Sequence, residues 1–158
     1  MKKILFIFLL LFPLYAKADT LAPNAKSAVL IEASTGEIIY KNNELEELAP
    51  ASMTKMMSLI IIMEEIEKGN LKWDEKIRIS QSAASMGGSQ IYLEAGEEMS
   101  VNDLVKGIAM ASANDAVVAL SERISGSEDN FVIKMNEKSK ELGLTNTIFK
   151  NSTGLDEE

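Results

Sequence analysis

Apolar and polar residues follow two different spacings along this chain, and each spacing predicts a different element. β-rich runs at 27–33 and 37–41 flank Ser34-Thr35-Gly36. This arrangement predicts a β-hairpin, because glycine readily takes the positive φ of a tight turn. Apolar residues then recur at helical spacing, which predicts helices over 54–68, 101–110, 116–124 and 128–142. The main predicted elements are therefore one hairpin followed by four helices.

Shorter features are predicted between and after these elements. Alternating isoleucines predict a strand within 73–80, and the small, Gly-rich stretch 82–89 predicts a loop. We expect a short extended piece over 91–93 and a short strand over 145–150, followed by a final loop.

The predicted helix 54–68 is apolar around most of its girth, which predicts a core helix. Ser52 stands where this helix begins, and Lys55 follows one helical turn later. Residues three apart lie on the same helix face, so the Lys55 amine can point at the Ser52 hydroxyl. A hydroxyl needs an adjacent base to act as a nucleophile, and lysine is a base only where burial or a cationic neighbour keeps it neutral. Ser52 can equally be an ordinary helix N-cap, so the pair alone leaves both interpretations open.

The first 18 residues have the layout of a secretory signal peptide. Lys2 and Lys3 form a charged start, 4–14 supply an apolar run, and Ala16-Lys17-Ala18 fits the small-x-small cleavage rule. The run is shorter than the about 20 residues that a transmembrane helix needs, although an uncleaved anchor remains an alternative. Residues 19–158 would then form one domain, working in the periplasm or on the outer face of the cytoplasmic membrane.

Composition narrows the chemistry that this chain can perform. The 158 residues include 16 basic and 24 acidic ones, and the formal net charge is −8. Without the first 18 residues, 13 basic residues face 24 acidic ones, which disfavours nucleic acid and anionic membrane surfaces as partners. The chain has no histidine and no cysteine, which excludes a Ser-His-Asp triad, a cysteine nucleophile and the usual zinc sites within it. Serine with a lysine base is the nucleophilic chemistry that remains.

Two S-x-N triplets occur in the chain. Ser100-Val101-Asn102 is followed by Asp103, an acid at the third helical position, and we interpret Ser100 as a helix cap. Ser112-Ala113-Asn114 lies at the break between two apolar helices. There it is either a second chemical motif or the N-cap of the helix that follows.

Taken together, these residues resemble the serine D-alanyl-D-alanine carboxypeptidases of low molecular mass, the S11 type of penicillin-binding protein. The stretch 51–57 is similar to the family's S-x-x-K motif and its flanks, and Ser112-Ala113-Asn114 is similar to its S-x-N motif. The stretch 143–147 and Gly154-Leu155-Asp156 resemble a later landmark. The resemblance extends over nearly all of 25–158, with its landmarks in the family's order.

The resemblance implies an α+β, β-lactamase/transpeptidase-like fold, with an antiparallel sheet and a helical lobe on either side of the active site. It implies an acyl-enzyme on Ser52, with Lys55 as base, Ser112 relaying a proton to the leaving group and Asn114 holding the substrate amide. The substrate would be a peptidoglycan stem peptide that loses its terminal D-alanine, and β-lactams would be covalent inhibitors. No metal or organic cofactor is implied. Ser89 is a weaker extra candidate, for which an ordinary loop serine is the competing interpretation.

Two departures from the family pattern qualify this expectation. No Lys-Thr-Gly motif occurs, and Thr153 stands where members often carry histidine. We therefore expect an N-terminal fragment that lacks the closing strands and is poorly active alone. A β-lactamase, a DD-endopeptidase and a non-catalytic peptidoglycan-binding module remain alternatives, and a C-terminal segment that associates with the membrane is left open.

Overall fold

The computed structural model describes residues 21–155, so the predicted signal peptide lies outside the described residues. The chain divides into two compact units, and the division falls between Glu47 and Leu48. In the first unit, strands β1 (Ala28–Ile31) and β2 (Ile38–Asn42) pair antiparallel, which confirms the predicted hairpin. One oxygen of the Glu32 carboxylate accepts hydrogen bonds from the Ser34 hydroxyl and from the backbone N–H groups of the turn. The side chain of Glu32, the residue directly after β1, therefore stabilises the turn.

The second unit is mainly helical. A 3₁₀ turn, Ala51–Thr54, leads directly into α1. Two strands that follow α1 in the chain, on either side of a one-turn helix, pair as a two-stranded antiparallel sheet. Its elements in chain order are α1 (Lys55–Glu67), β3 (Lys76–Arg78), α2 (Gln81–Ala84), β4 (Glu98–Ser100), α3 (Val101–Ala111), α4 (Asn114–Ser125) and α5 (Glu128–Glu141). No helix among residues 21–155 combines the length and apolarity that crossing a bilayer requires.

Local capping explains where the later helices start and stop. The Ser100 hydroxyl accepts the Asp103 backbone N–H at 3.1 Å, which confirms its predicted role as the N-cap of α3. Gly126 ends α4 with a φ of 81°, a conformation that favours glycine. The four predicted helices are all present, with boundaries within three residues of those expected.

The core of the second unit forms where α1, α4 and α5 pack together. Helix α4 is buried along most of its length, and α5 contributes Phe131 and Met135. Helix α1 buries Ile61 and Ile62, but Met56 and Ile60 on its other side are 63% and 42% exposed. The prediction of a core helix is therefore confirmed for one face of α1, whereas the opposite face is exposed within the described residues.

Three short predictions are wrong in whole or in part. Of the predicted loop 82–89, residues 85–89 form neither helix nor strand, but 82–84 belong to the single-turn helix α2, because the Ser80 hydroxyl caps the Ala83 N–H. The stretch 91–93 is not extended, since Tyr92 takes a left-handed φ of 61°. Residues 145–150 do not form a strand. Phe149 bonds the Asn136 side chain through both its N–H and its carbonyl, so a side chain replaces the partner strand.

Candidate active site

Ser52 and Lys55 lie together where the 3₁₀ turn becomes α1. Ser52 is exposed and lies in the 3₁₀ turn, and Lys55 is the first residue of the α-helix. Ala51, just before the serine, has a left-handed φ of 49°. Non-glycine residues in this region carry strain, and such strain is often found at functional sites. The backbone thus bends sharply at the position that presents the Ser52 hydroxyl.

The Lys55 amine is held between two oxygen acceptors. Its Nζ lies 3.0 Å from the Ser52 Oγ and 2.9 Å from the backbone carbonyl oxygen of Thr153. The residue is only 4% exposed. Burial lowers the pKa of the Lys55 amine below its ordinary value, because desolvation disfavours the charged form. The neutral form of the amine, which a lysine base beside the hydroxyl requires, is thereby favoured.

The Thr153 carbonyl belongs to a short turn, residues 151–154, which we call the strap. Lys55 and Ser58, one turn apart on α1, donate to consecutive strap carbonyls, those of Thr153 at 2.9 Å and Ser152 at 2.6 Å. Within the strap, the Asn151 side-chain oxygen accepts the Gly154 N–H at 2.7 Å and the Thr153 N–H at 3.2 Å. The strap therefore has its own internal hydrogen bonds and is joined to the same face of α1 as the lysine.

Gly154 closes the strap against the 3₁₀ turn. Its φ is 75°, and a Cβ built there would lie 1.9 Å from the Ala51 carbonyl oxygen and 2.7 Å from Thr54 Oγ1. Only a glycine allows such a close approach between the two backbones. The strap consequently fixes the backbone on the N-terminal side of Ser52 as well as the Lys55 amine.

Ser112 and Asn114 lie at the junction of α3 and α4. Ser112 ends α3 in a left-handed conformation with a φ of 56°, while Ala113 occupies the N-cap position of α4. Ser112 is therefore not the N-cap of α4, the competing interpretation of its motif. Asn114 is 3% exposed, and its Nδ2 donates to the Gly87 carbonyl at 2.7 Å. Its Oδ1 is buried and has no hydrogen-bond partner among the described residues. A buried acceptor without a partner is uncommon in folded proteins.

The loop 87–93 is fastened to the start of α4. The Ser89 carbonyl accepts the Asn114 backbone N–H at 2.7 Å. The buried Asp115 carboxylate accepts the backbone N–H groups of Ile91 at 3.2 Å and Leu93 at 3.1 Å. Ser89 is exposed, and its role in this arrangement comes from its backbone.

Gly88 lies close to Asn114 and to the residue that follows the strap. A Cβ built on it would lie 2.9 Å from Asn114 Nδ2 and 3.4 Å from Leu155 Cδ1, and Leu155 directly follows the strap. No hydrogen bond within 21–155 joins the side chains of Ser112 or Asn114 to Ser52 or Lys55. The structure thus brings Ser52 and Lys55 into direct contact. It places Gly88 beside both Asn114 and Leu155, the residue that follows the strap.

Sequence reasoning missed the strap as the second partner of Lys55. The Thr153 carbonyl is a backbone group 98 residues away, which no side-chain motif reveals. Ser58 did leave a signal, since it is a polar residue in an apolar run and continues the three-residue spacing of Ser52 and Lys55. Among the described residues, no group of three or more acidic side chains is placed to hold a metal ion.

Comparisons with known proteins identify the family. Residues 15–158 match the S11 peptidase family, described as D-alanyl-D-alanine carboxypeptidase. The D-alanyl-D-alanine carboxypeptidase DacF of Bacillus subtilis is 61% identical over 142 residues, which are 90% of this chain and 36% of that relative. The chain therefore spans little more than a third of the length of this curated relative.

Solved structures agree with this assignment. The D-alanyl-D-alanine carboxypeptidase DacD of Francisella tularensis has a TM-score of 0.83 and 43% identity, covering 85% of this chain and 33% of that one. Penicillin-binding protein D2 of Listeria monocytogenes, in its ampicillin-bound form, has a TM-score of 0.77 and 29% identity, covering 88% of this chain and 56% of that one. These matches confirm the predicted α+β, transpeptidase-like fold, of which the chain holds a part. The chain belongs to the S11 peptidase family of D-alanyl-D-alanine carboxypeptidases.

Proposed function

We propose that the protein containing this sequence is a serine-type D-alanyl-D-alanine carboxypeptidase that acts through an acyl-enzyme on Ser52. The observation that carries the proposal is the buried Lys55 amine, 3.0 Å from the Ser52 hydroxyl and with a lowered pKa. Membership of the family supplies the substrate class, a peptidoglycan stem peptide ending in two D-alanines. The chain spans about a third of its relatives, so the activity is proposed for the whole protein.

The first step is acyl transfer to Ser52. Its Oγ attacks the carbonyl carbon between the two D-alanines as the hydroxyl proton passes to the Lys55 Nζ. The backbone N–H groups at the start of α1 have no partners within the helix, and the helix dipole there favours negative charge. In our proposal the Ser52 N–H supplies half of the oxyanion hole for the tetrahedral intermediate.

The two products leave one after the other. The C–N bond breaks to complete the acyl-enzyme, and the departing D-alanine amine takes a proton from Lys55 by way of the Ser112 hydroxyl. Water then attacks the ester on Ser52, which frees the shortened peptide and returns a proton to the serine. Asn114 holds the substrate's peptide amide in our proposal. Its Nδ2 is bonded to Gly87, so its unpartnered Oδ1 is the atom that accepts the substrate N–H once substrate binding uncovers it.

A fluorescent penicillin tests the nucleophile. We expect the protein, expressed from its whole natural reading frame, to be labelled covalently at Ser52, and Ser52→Ala to abolish labelling. D-alanine release from a pentapeptide should be lost in the same variant. Labelling that survives in Ser52→Ala would show that another residue is the nucleophile.

The two S-x-N serines provide a matched pair of variants. Ser112→Ala removes the proposed proton relay, and we expect acylation and D-alanine release to fall by about 10²-fold or more. Ser100→Ala removes only the cap of α3, and should lower the free energy of unfolding by about 1 kcal/mol without changing the acylation rate. Equal activity losses in both variants would contradict the proposed role of Ser112.

The location of the protein follows from its proposed substrate. Peptidoglycan lies outside the cytoplasmic membrane, so we propose that the protein is exported and that 1–18 are removed on export. N-terminal sequencing of the protein purified from its own cell should begin near Asp19. A sequence beginning at Met1 would show an uncleaved segment.

A further inference from the structure

The strap is held from two sides, and one of them lies outside the proposed catalytic residues. On the α1 side, Ser58 and Lys55 donate to the carbonyls of Ser152 and Thr153. On the other side, Glu128 at the first position of α5 accepts both the Ser152 N–H at 3.0 Å and the Ser152 hydroxyl at 2.6 Å, on the same oxygen. Ser152 is fully buried, and its N–H, hydroxyl and carbonyl are all hydrogen-bonded.

Helix α5 holds the segment that leads to the strap at a second point. Asn136 accepts the Phe149 N–H and donates to the Phe149 carbonyl, both at 2.9 Å. Among the described residues of α5, Glu128 is the one that bonds the strap itself, through the N–H and hydroxyl of Ser152. Since Ser152 and Thr153 are neighbours in the chain, the place of the Ser152 backbone determines where the Thr153 carbonyl can lie.

We propose that Glu128 is a positioning residue for Lys55: its carboxylate oxygen holds Ser152, and thereby keeps the Thr153 carbonyl against the Lys55 amine. Glu128 touches neither the serine nor the lysine and acts through the strap. This inference rests on the proposed function, because it takes Lys55 as the base. It deepens that proposal by connecting the start of α5 with the protonation state of the site.

The physical consequence of losing Glu128 is greater access of water to Lys55. The carbonyl of the buried strap residue Thr153 contacts the amine, and burial is what lowers the pKa of Lys55. Within the described residues no charged neighbour contributes to that lowered pKa. If the strap moves away, the pKa of Lys55 rises towards its ordinary value. More of the amine is then protonated at neutral pH. In a plot of acylation rate against pH, the fall in rate on the acidic side, called the acidic limb below, therefore moves to higher pH.

Two variants distinguish the hydrogen-bond acceptor at residue 128 from its negative charge. Glu128→Ala removes both, and Glu128→Gln removes only the charge. Alanine leaves the buried Ser152 N–H and hydroxyl without an acceptor, whereas glutamine still offers one oxygen to both. We expect Glu128→Ala to slow penicillin acylation at neutral pH by on the order of 100-fold, through displacement of the site, and to shift the acidic limb to higher pH. Glu128→Gln should keep the wild-type pH profile.

Asp129→Ala is the matched charge control. Asp129 is the next acid in the first turn of α5, is exposed, and makes no hydrogen bond or ion pair by its side chain within 21–155. Its removal changes the same charge at the same helix end without touching the strap. We expect its acylation profile to match that of the wild type.

A second readout does not need activity. The Lys55 side-chain titration can be followed by NMR on ¹³C-labelled lysine, with the signal assigned by Lys55→Arg, and its midpoint should rise in Glu128→Ala. Should that variant fail to fold, as judged by circular dichroism, Ser152→Ala replaces it, because it removes the hydroxyl bond to Glu128 and keeps the N–H bond. It should raise the midpoint in the same direction by a smaller amount.

The outcomes distinguish this inference from the proposed function. An unchanged Lys55 midpoint in the folded variant, or an equal rise in Asp129→Ala, would overturn the role of Glu128 while leaving Ser52 acylation intact. Loss of the wild-type profile in Glu128→Gln would overturn the role of its accepting oxygen. Absence of any acylation at Ser52 in the wild type would instead refute the proposed function, and the NMR titration would still decide whether Glu128 positions Lys55.

Discussion

Replacing Gly154 by alanine tests whether the strap really presses against the 3₁₀ turn before Ser52. The new methyl group would lie 1.9 Å from the Ala51 carbonyl oxygen, so one of the two backbones must move by more than an ångström. Alanine at the left-handed φ of 75° adds roughly 1–2 kcal/mol of backbone strain. The overlap adds a further 1–3 kcal/mol, as is typical of overpacking. The free energy of unfolding should therefore fall by about 2–5 kcal/mol.

Gly143→Ala isolates the backbone part of this effect. Gly143 has a similar φ of 73°, but a Cβ built there meets no atom within 4 Å. Both substitutions also restrict the unfolded chain to the same extent, so that contribution cancels between them. Urea unfolding followed by circular dichroism should show Gly154→Ala as the more destabilised variant by about 1–3 kcal/mol.

The same pair of variants should differ in activity. Moving Ala51 displaces Ser52, so Gly154→Ala should acylate on the order of 100-fold more slowly, whereas Gly143→Ala should acylate at the wild-type rate. If Gly154→Ala is no less stable than Gly143→Ala and acylates normally, the close approach of strap and 3₁₀ turn is not a feature of the protein in solution.

Three further predictions concern charged groups. Lys55→Arg places a permanently protonated group beside the serine, and the acylation rate should fall by about 10²–10⁴-fold in a stopped-flow assay. The Asp115 carboxylate accepts backbone N–H groups that include those of Ile91 and Leu93, and Asp115→Asn leaves at least one of them without an acceptor. Urea unfolding should therefore show that the free energy of unfolding falls by about 1–3 kcal/mol. Hydrogen bonds from Ser34 and Thr35 lower the pKa of Glu32 from 4.5 to about 2. Its stabilisation of the hairpin is complete above pH 4.5 and is lost as the pH falls towards 2, and a carboxyl titration by NMR with a midpoint near 4.5 would contradict this.

Local patterns were enough to predict the elements whose hydrogen bonds are mainly internal. The hairpin, the cap at Ser100 and the C-terminal end of α4 each depend on residues within a few positions of one another. The three-residue spacing of Ser52 and Lys55 likewise depends on helix geometry alone, and their contact was predicted correctly. Sequence alone therefore determined the helices, the hairpin and the central pair of polar side chains.

Tertiary structure decided what surrounds that pair. Tyr92 is left-handed because its neighbours' N–H groups bond to Asp115, and 145–150 is not a strand because Asn136 bonds Phe149. Burial of Lys55 likewise depends on a backbone carbonyl 98 residues away. Backbone N–H and carbonyl groups are the same at every residue, so their distant partners leave no trace in side-chain periodicity. Only the packing of α1, α5 and the strap shows how the lysine is kept from water.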